Sequence, residues 1–260
     1  MNLFRVGGIQ LAVHASFVLL PILVAWEGWA YEGWLGAGLG LATLAAFFTC
    51  VVLHELGHAF AAARLGIRVP RILLLPIGGM AEFERIPRKP AEELLIAVAG
   101  PLVNVLLVGL LALFITWPQT PLSIILGLEP DPLGLAEHDP ALLGMNVFLL
   151  TLLLANVAMA TFNMLPVFPM DGGRVLRALL ATRLSYLRAT WIAALVAKVL
   201  ATLLIALALW QEAWLAAALF TFILIVGNAE YQSVRLAEER EALWRKLLDD
   251  SLSRDRGEGI

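Results

Sequence analysis

One short stretch of this chain has the residue types and spacing of metal-assisted hydrolysis: His54-Glu55-Leu56-Gly57-His58. On a helix, positions four apart share a face, so two imidazoles can reach one ion while the carboxylate stands beside them. A catalytic zinc ion takes three protein ligands and keeps a fourth position for water, whose pKa it lowers to about 7, and a neighbouring carboxylate serves as general base. The competing reading is a pair of helix histidines satisfied by nearby carbonyls. It is the weaker one, because two of only four histidines fall in this pattern with the acid in place. The stretch also lies in an apolar run long enough to cross a bilayer, where ionisable groups are costly and functional by default.

The elements that must position these residues follow from composition. Of 260 residues, 60% are hydrophobic and 15% charged, far more apolar than a soluble domain, which implies an all-α polytopic membrane protein. A net charge of -3 suggests no nucleic-acid partner; the expected surroundings are the lipid bilayer. The single cysteine, Cys50, excludes an internal disulfide. One turn before His54, it reads as a small packing residue.

Six membrane spans are expected, running approximately from Val13 to Ala30, Leu35 to Leu65, Ala91 to Trp117, Ala141 to Leu165, Ala189 to Trp210 and Ala213 to Asn228. The first is read as a retained span and not a removed signal peptide. Trp26, Trp29, Tyr31 and Trp34 form an aromatic belt where it leaves the membrane. Residues 1 to 13 suit a short strand or interfacial segment. Around Pro76-Ile77-Gly78-Gly79, two short apolar runs predict a β-hairpin over about 67–84, shielded beside the site because Ile72-Leu73-Leu74-Leu75 is too apolar for a solvated loop. Residues 118 to 140, with Glu129, Asp131, Glu137, His138 and Asp139, read as an exposed loop. The domain division expected is a six-span membrane domain over 1–230 and a charged cytoplasmic tail over 231–260.

Charge sets the topology, since Lys and Arg collect in cytoplasmic loops. Arg64, Arg68, Arg71, Arg85, Arg88 and Lys89 follow the second span, Arg174, Arg177, Arg183 and Arg188 follow the fourth, and Arg235 through Arg256 follow the sixth. The alternate segments carry no Lys or Arg. Both termini and the opening of the site are therefore expected on the cytoplasmic side of the cell (inner) membrane. From Arg64 back to His54 is ten residues, so at 1.5 Å per residue the metal would sit about 15 Å inside the boundary. A hydrolytic centre at that depth implies a substrate that is itself in the membrane.

Two histidines leave a catalytic zinc site one ligand short. His138 belongs to the outer loop, and His14, at the cytoplasmic end of the first span, reads better as a helix-end or interfacial residue. Asp171 lies at the cytoplasmic end of the fourth span after two prolines, in an apolar setting where a lone carboxylate calls for a cation. Asp171 is the choice.

These residues resemble the site-2 protease family of intramembrane zinc metalloproteases. The resemblance rests on His54-Glu55-Leu56-Gly57-His58 and on Asn163-x-x-Pro166-x-x-Pro169-x-Asp171-Gly172, and extends to Pro76-Ile77-Gly78-Gly79 and Ala99-Gly100-Pro101-Leu102-Val103-Asn104. It implies one Zn2+ per chain held by His54, His58 and Asp171, with Glu55 as the base that activates water. It also implies that Asn163 helps hold substrate or the developing oxyanion; the plainer reading of Asn163 is a helix-end cap. Gly100 and Asn104 are expected to serve close packing and interhelical bonding, and not catalysis. The implied activity is endoproteolysis of transmembrane segments in single-span membrane proteins, within regulated intramembrane proteolysis and downstream of a site-1-type protease. With no PDZ-like insertion and no nucleotide-sensing domain, the sequence is similar to a minimal prokaryotic form. The rival class is a non-catalytic membrane zinc-binding or transport protein, against which stand Glu55 and the lack of repeated halves.

Overall fold

The computed structural model describes residues 1–85, 87–115 and 140–257; the expected outer loop with His138 lies outside them. The chain forms two compact units, Met1–Pro87 with Leu95–Asn163, and Arg88–Leu94 with Met164–Ile260.

The first unit opens with a sheet. Strands β1 (Asn2–Val6) and β2 (Ile9–Val13) are antiparallel. They turn at Gly7-Gly8, whose φ angles of +57° and +88° are open to glycine at little cost. β3 (Arg71–Leu75) pairs parallel with β2, and β4 (Gly78–Glu82) antiparallel with β3, in the order β1-β2-β3-β4. The expected hairpin is thus half of a four-stranded sheet, and Val13, expected to begin the first span, belongs to β2 and pairs with Leu74. The β2–β3 pairing joins residues about sixty apart, so the local pattern could not register it. Alternate residues of β3, Ile72 and Leu74, are buried with Leu11, Phe48 and Val51, as the two-residue period of a strand dictates.

Helix α1 (Leu19–Arg64) covers that face of the sheet. Its ladder breaks at Glu32 and Gly33, where Gly33 has φ +61°, and its two arms fold back on each other. The approach is so close that a Cβ on Gly28 or Gly36 would collide with the other's carbonyl. α2 (Pro90–Phe114) and α3 (Pro140–Asn163) follow. α1 meets α2 at Gly57, where a Cβ would lie 2.8 Å from the Ala99 carbonyl oxygen and from Val103.

The second unit holds α4 (Asp171–Ala181), α5 (Tyr186–Trp210) and α6 (Trp214–Gly257). Ser185 caps α5, its hydroxyl accepting from the Arg188 amide. Ala189, Ala193, Ala197 and Ala201, four apart, are buried along one face of α5, small enough to let α6 pack closely. α6 includes the charged stretch from Glu230 onward, which is helical as far as Gly257.

Five helical segments are long and apolar enough to cross a membrane, Ala15–Arg64, Pro90–Phe114, Gly144–Asn163, Tyr186–Trp210 and Trp214–Leu248. The first contains the Glu32-Gly33 break. The protein is multi-pass and mostly helical, with a small sheet.

Candidate metal centre

His54 and His58 lie one turn apart on the second arm of α1, both buried. Their ring orientations are fixed from outside. The Nδ1 of His54 meets the side-chain oxygen of Asn104 at 2.5 Å, and the Nδ1 of His58 meets the carbonyl oxygen of Ile96 at 2.7 Å. Both partners are acceptors, so each Nδ1 carries the proton and donates it, leaving each Nε2 as a lone-pair donor. The two Nε2 atoms converge to 3.1 Å. Two imidazoles on one tetrahedral zinc ion, at 2.0–2.1 Å each, would stand about 3.3 Å apart. The donor set and spacing therefore fit a metal.

The space above the pair is kept open by Gly100 of α2. A Cβ there would fall on Nε2 of His58 and within 2.8 Å of Nε2 of His54. Sequence reasoning assigned Gly100 to helix packing; its packing partners are the Nε2 edges of the two imidazoles. Asn104, assigned to interhelical bonding, does bond across helices, and one of its partners is His54. The signal for this role was available, since a polar residue deep in an apolar span needs a partner.

Glu55 lies on the neighbouring face of α1, against the sheet. Its Oε2 accepts the backbone N–H of Ala81 at 3.0 Å, and its stem runs over Gly79, where a Cβ would come within 2.6 Å of Cγ. Strand β4 thus orients the carboxylate, and only a glycine at 79 leaves room for it.

The other expected residues fall as follows. Asn163 is the last residue of α3 and half-buried. His14 caps the short 3-10 turn Ala15–Val18, its Nδ1 accepting from the Ser16 amide, a helix-end residue as expected. Cys50 is buried.

Asp171, in the second unit, is the first residue of α4 and buried. The chain before it is tightly wound, with Val167 N–H donating to the Leu165 carbonyl and Met170 N–H to the Val167 carbonyl, at 2.7 and 2.9 Å. A Cβ on Gly172 would strike the Met164 and Leu165 carbonyls, and one on Gly173 would lie 2.8 Å from the Phe168 nitrogen. Both glycines are needed for helix and turn to pack this closely.

Beneath that turn is a feature not anticipated from the sequence. Arg177 of α4, fully buried, donates from Nε and Nη2 to Oε1 of Glu93 at 2.8 and 2.5 Å and from Nη1 to Glu230 of α6 at 2.8 Å. Its guanidinium stacks between Phe168 and Tyr186, 4.9 and 5.1 Å from the ring centroids. The ion pairs tie α4 to Glu93 and to α6, and the stacking sets Phe168 against the same guanidinium.

Comparison with known proteins agrees with these features. Residues 42–207, which include both histidines, Glu55 and Asp171, match the family model for peptidase family M50. A zinc metalloprotease of Methanocaldococcus jannaschii is 35% identical over 205 residues, 79% of this chain and 52% of the relative. Stage IV sporulation protein FB of Bacillus subtilis is 31% identical over 162 residues, 60% of this chain and 48% of that protein. The chain spans about half the length of these curated relatives. Among solved structures, a site-2 protease from Methanocaldococcus jannaschii superposes with a TM-score of 0.60 at 31% identity, covering 89% of this chain and 94% of that one. With nearly two thirds of its length matched, and the two-histidine helix inside the match, the chain belongs to peptidase family M50, the family of the site-2 proteases.

Proposed function

We propose that this protein is an intramembrane zinc metalloendopeptidase that cleaves transmembrane segments of membrane-anchored proteins. The observation that carries the reading is the pair of Nε2 atoms converging at 3.1 Å inside an apolar helix, with a carboxylate held one residue away. A transport protein would have no use for the base or for the strand that aims it.

In this reading His54, His58 and Asp171 hold one zinc ion. Bound there, zinc supplies a lowered pKa for water and an electrophilic centre for the scissile carbonyl. Glu55 takes the proton from the attacking water on its carboxylate and delivers it to the leaving amine nitrogen. The net change is one water added across one peptide bond. Asn163 offers its amide N–H to the developing oxyanion. Support for Asp171 comes from its rigid, glycine-dependent seat at the start of α4, and from its place in the family's second motif.

The reading includes six spans, with the Glu32-Gly33 break separating the first two, residues 1–230 as the membrane domain, and 231–260 as a cytoplasmic extension. Both termini face the cytoplasm of the inner membrane, which the alternation of Arg and Lys between loops supports. Substrates are single-span proteins, trimmed first by another protease outside.

Cells expressing wild type and Glu55→Gln are compared by mapping new protein termini with mass spectrometry. Termini within membrane spans of other proteins should appear with wild type alone. Their absence, with both forms folded and zinc-loaded and the upstream trimming step supplied, would refute the proposal.

A further inference from the structure

Three amides form a directed chain behind His54. Asn104 presents Oδ1 to His54 Nδ1 at 2.5 Å and donates from Nδ2 to Oδ1 of Asn156 on α3 at 2.8 Å. Asn156 in turn donates from its own Nδ2 to the Leu152 carbonyl oxygen at 2.8 Å. Asn104 and Asn156 are both fully buried. An asparagine side chain has two nearly isosteric ends, one accepting and one donating. For Asn104 the choice between them is decided by Asn156, because only the acceptor end of Asn156 faces it. The other neighbour of Asn104 Nδ2, the Met159 sulfur at 3.4 Å, is too weak an acceptor to decide it.

If Asn104 turned over, its Nδ2 would face His54 Nδ1. The imidazole would then have to accept at Nδ1 and carry its proton on Nε2, the atom directed at His58. That tautomer cannot ligate a metal through Nε2. The Leu152 carbonyl is a backbone acceptor with one possible role, so it fixes Asn156, Asn156 fixes Asn104, and Asn104 fixes the imidazole.

We propose that Asn156 is a positioning residue that, acting through Asn104, holds His54 in the tautomer whose Nε2 takes the metal. The inference rests on the metal reading above for its consequence, but the tautomer itself can be read without metal or activity.

The test uses the full chain in detergent or nanodiscs, in wild type, Asn156→Leu and Asn156→Asp forms. Zinc affinity is measured by chelator competition, and the His54 ring is examined by 15N NMR of metal-free protein at pH 8, where the chain's four histidines keep assignment tractable. Asn156→Leu removes the acceptor and should weaken zinc binding about 10- to 100-fold, with the His54 proton spread over both ring nitrogens. Asn156→Asp keeps an acceptor oxygen toward Asn104 Nδ2 in either protonation state, so it should stay within about threefold of wild type. A merely structural asparagine would lower thermal stability and leave the tautomer alone. Wild-type affinity and tautomer in Asn156→Leu would overturn the proposal. Should that variant fail to fold, wild type still decides: His54 protonated on Nδ1 supports the relay, and on Nε2 refutes it. Wild type that binds no zinc but keeps the Nδ1 proton would sink the metal reading while leaving the relay standing.

Discussion

Gly100→Ala should separate metal binding from folding. The added methyl carbon would fall on Nε2 of His58 and 2.8 Å from Nε2 of His54, where carbon and nitrogen normally stay more than 3 Å apart. Both rings would have to swing away from their shared point, and each is tethered at Nδ1, by Asn104 and by Ile96. Forcing one extra carbon into a packed site costs about 1–3 kcal/mol. Here that cost falls on the geometry needed for metal, so zinc affinity should drop about 5- to 150-fold, at 1.4 kcal/mol per tenfold. Metal-free folding should not suffer in proportion, since alanine is favoured over glycine inside a helix by about 1 kcal/mol. Chelator competition gives the affinity, and thermal unfolding of the metal-free protein gives the control. Wild-type zinc affinity in a folded Gly100→Ala protein would show that the open space beside the two Nε2 atoms is not the metal's.

Gly79→Ala is the complementary change: its Cβ would press on the Glu55 stem, 2.6 Å from Cγ, so cleavage should fall at least tenfold with zinc content unchanged, checked by fragment assay and metal analysis together. Arg177→Met leaves the buried Glu93 carboxylate without its counter-ion and should cost about 3–5 kcal/mol, read as a lowered unfolding midpoint. Glu93→Gln should be milder, because its amide oxygen still accepts from Arg177.

How legible the protein was depends on the range of the interactions that make it. His54, Glu55 and His58 declare themselves because a helix repeats over four residues, and Asp171 stood out as a carboxylate with no local reason to be buried. The β3–β4 hairpin was readable from Pro76 and the glycines at its turn. Its union with β1 and β2 was not, because the β2–β3 pairing is non-local and a parallel strand carries no turn to announce it. The Glu32-Gly33 break falls in the gap left between the first two expected spans, beside the aromatic belt. Asn104 was recognised as a bonding residue, but its partner could not be known until α1 and α2 were laid side by side. Arg177 looked like one of several cytoplasmic arginines; its burial depends on Glu93 and Glu230, 84 and 53 positions away.

The unbroken helix α6 is 44 residues long, about 66 Å at 1.5 Å per residue. Within its own unit it is moored at two depths. Glu230 takes the buried Arg177, and eleven residues further Glu241 takes both Nη atoms of Arg88 at 2.7 and 2.9 Å, with about half of each side chain in solvent. The two moorings differ in strength: an exposed pair is worth about 0–1 kcal/mol and weakens with salt, while a buried one is costly to break. A sideways load on the outer end would part the Arg88 pair first and reach Glu230 only afterwards. The helix is therefore a lever with a graded release, whose near arm ends on the same short helix that carries Asp171.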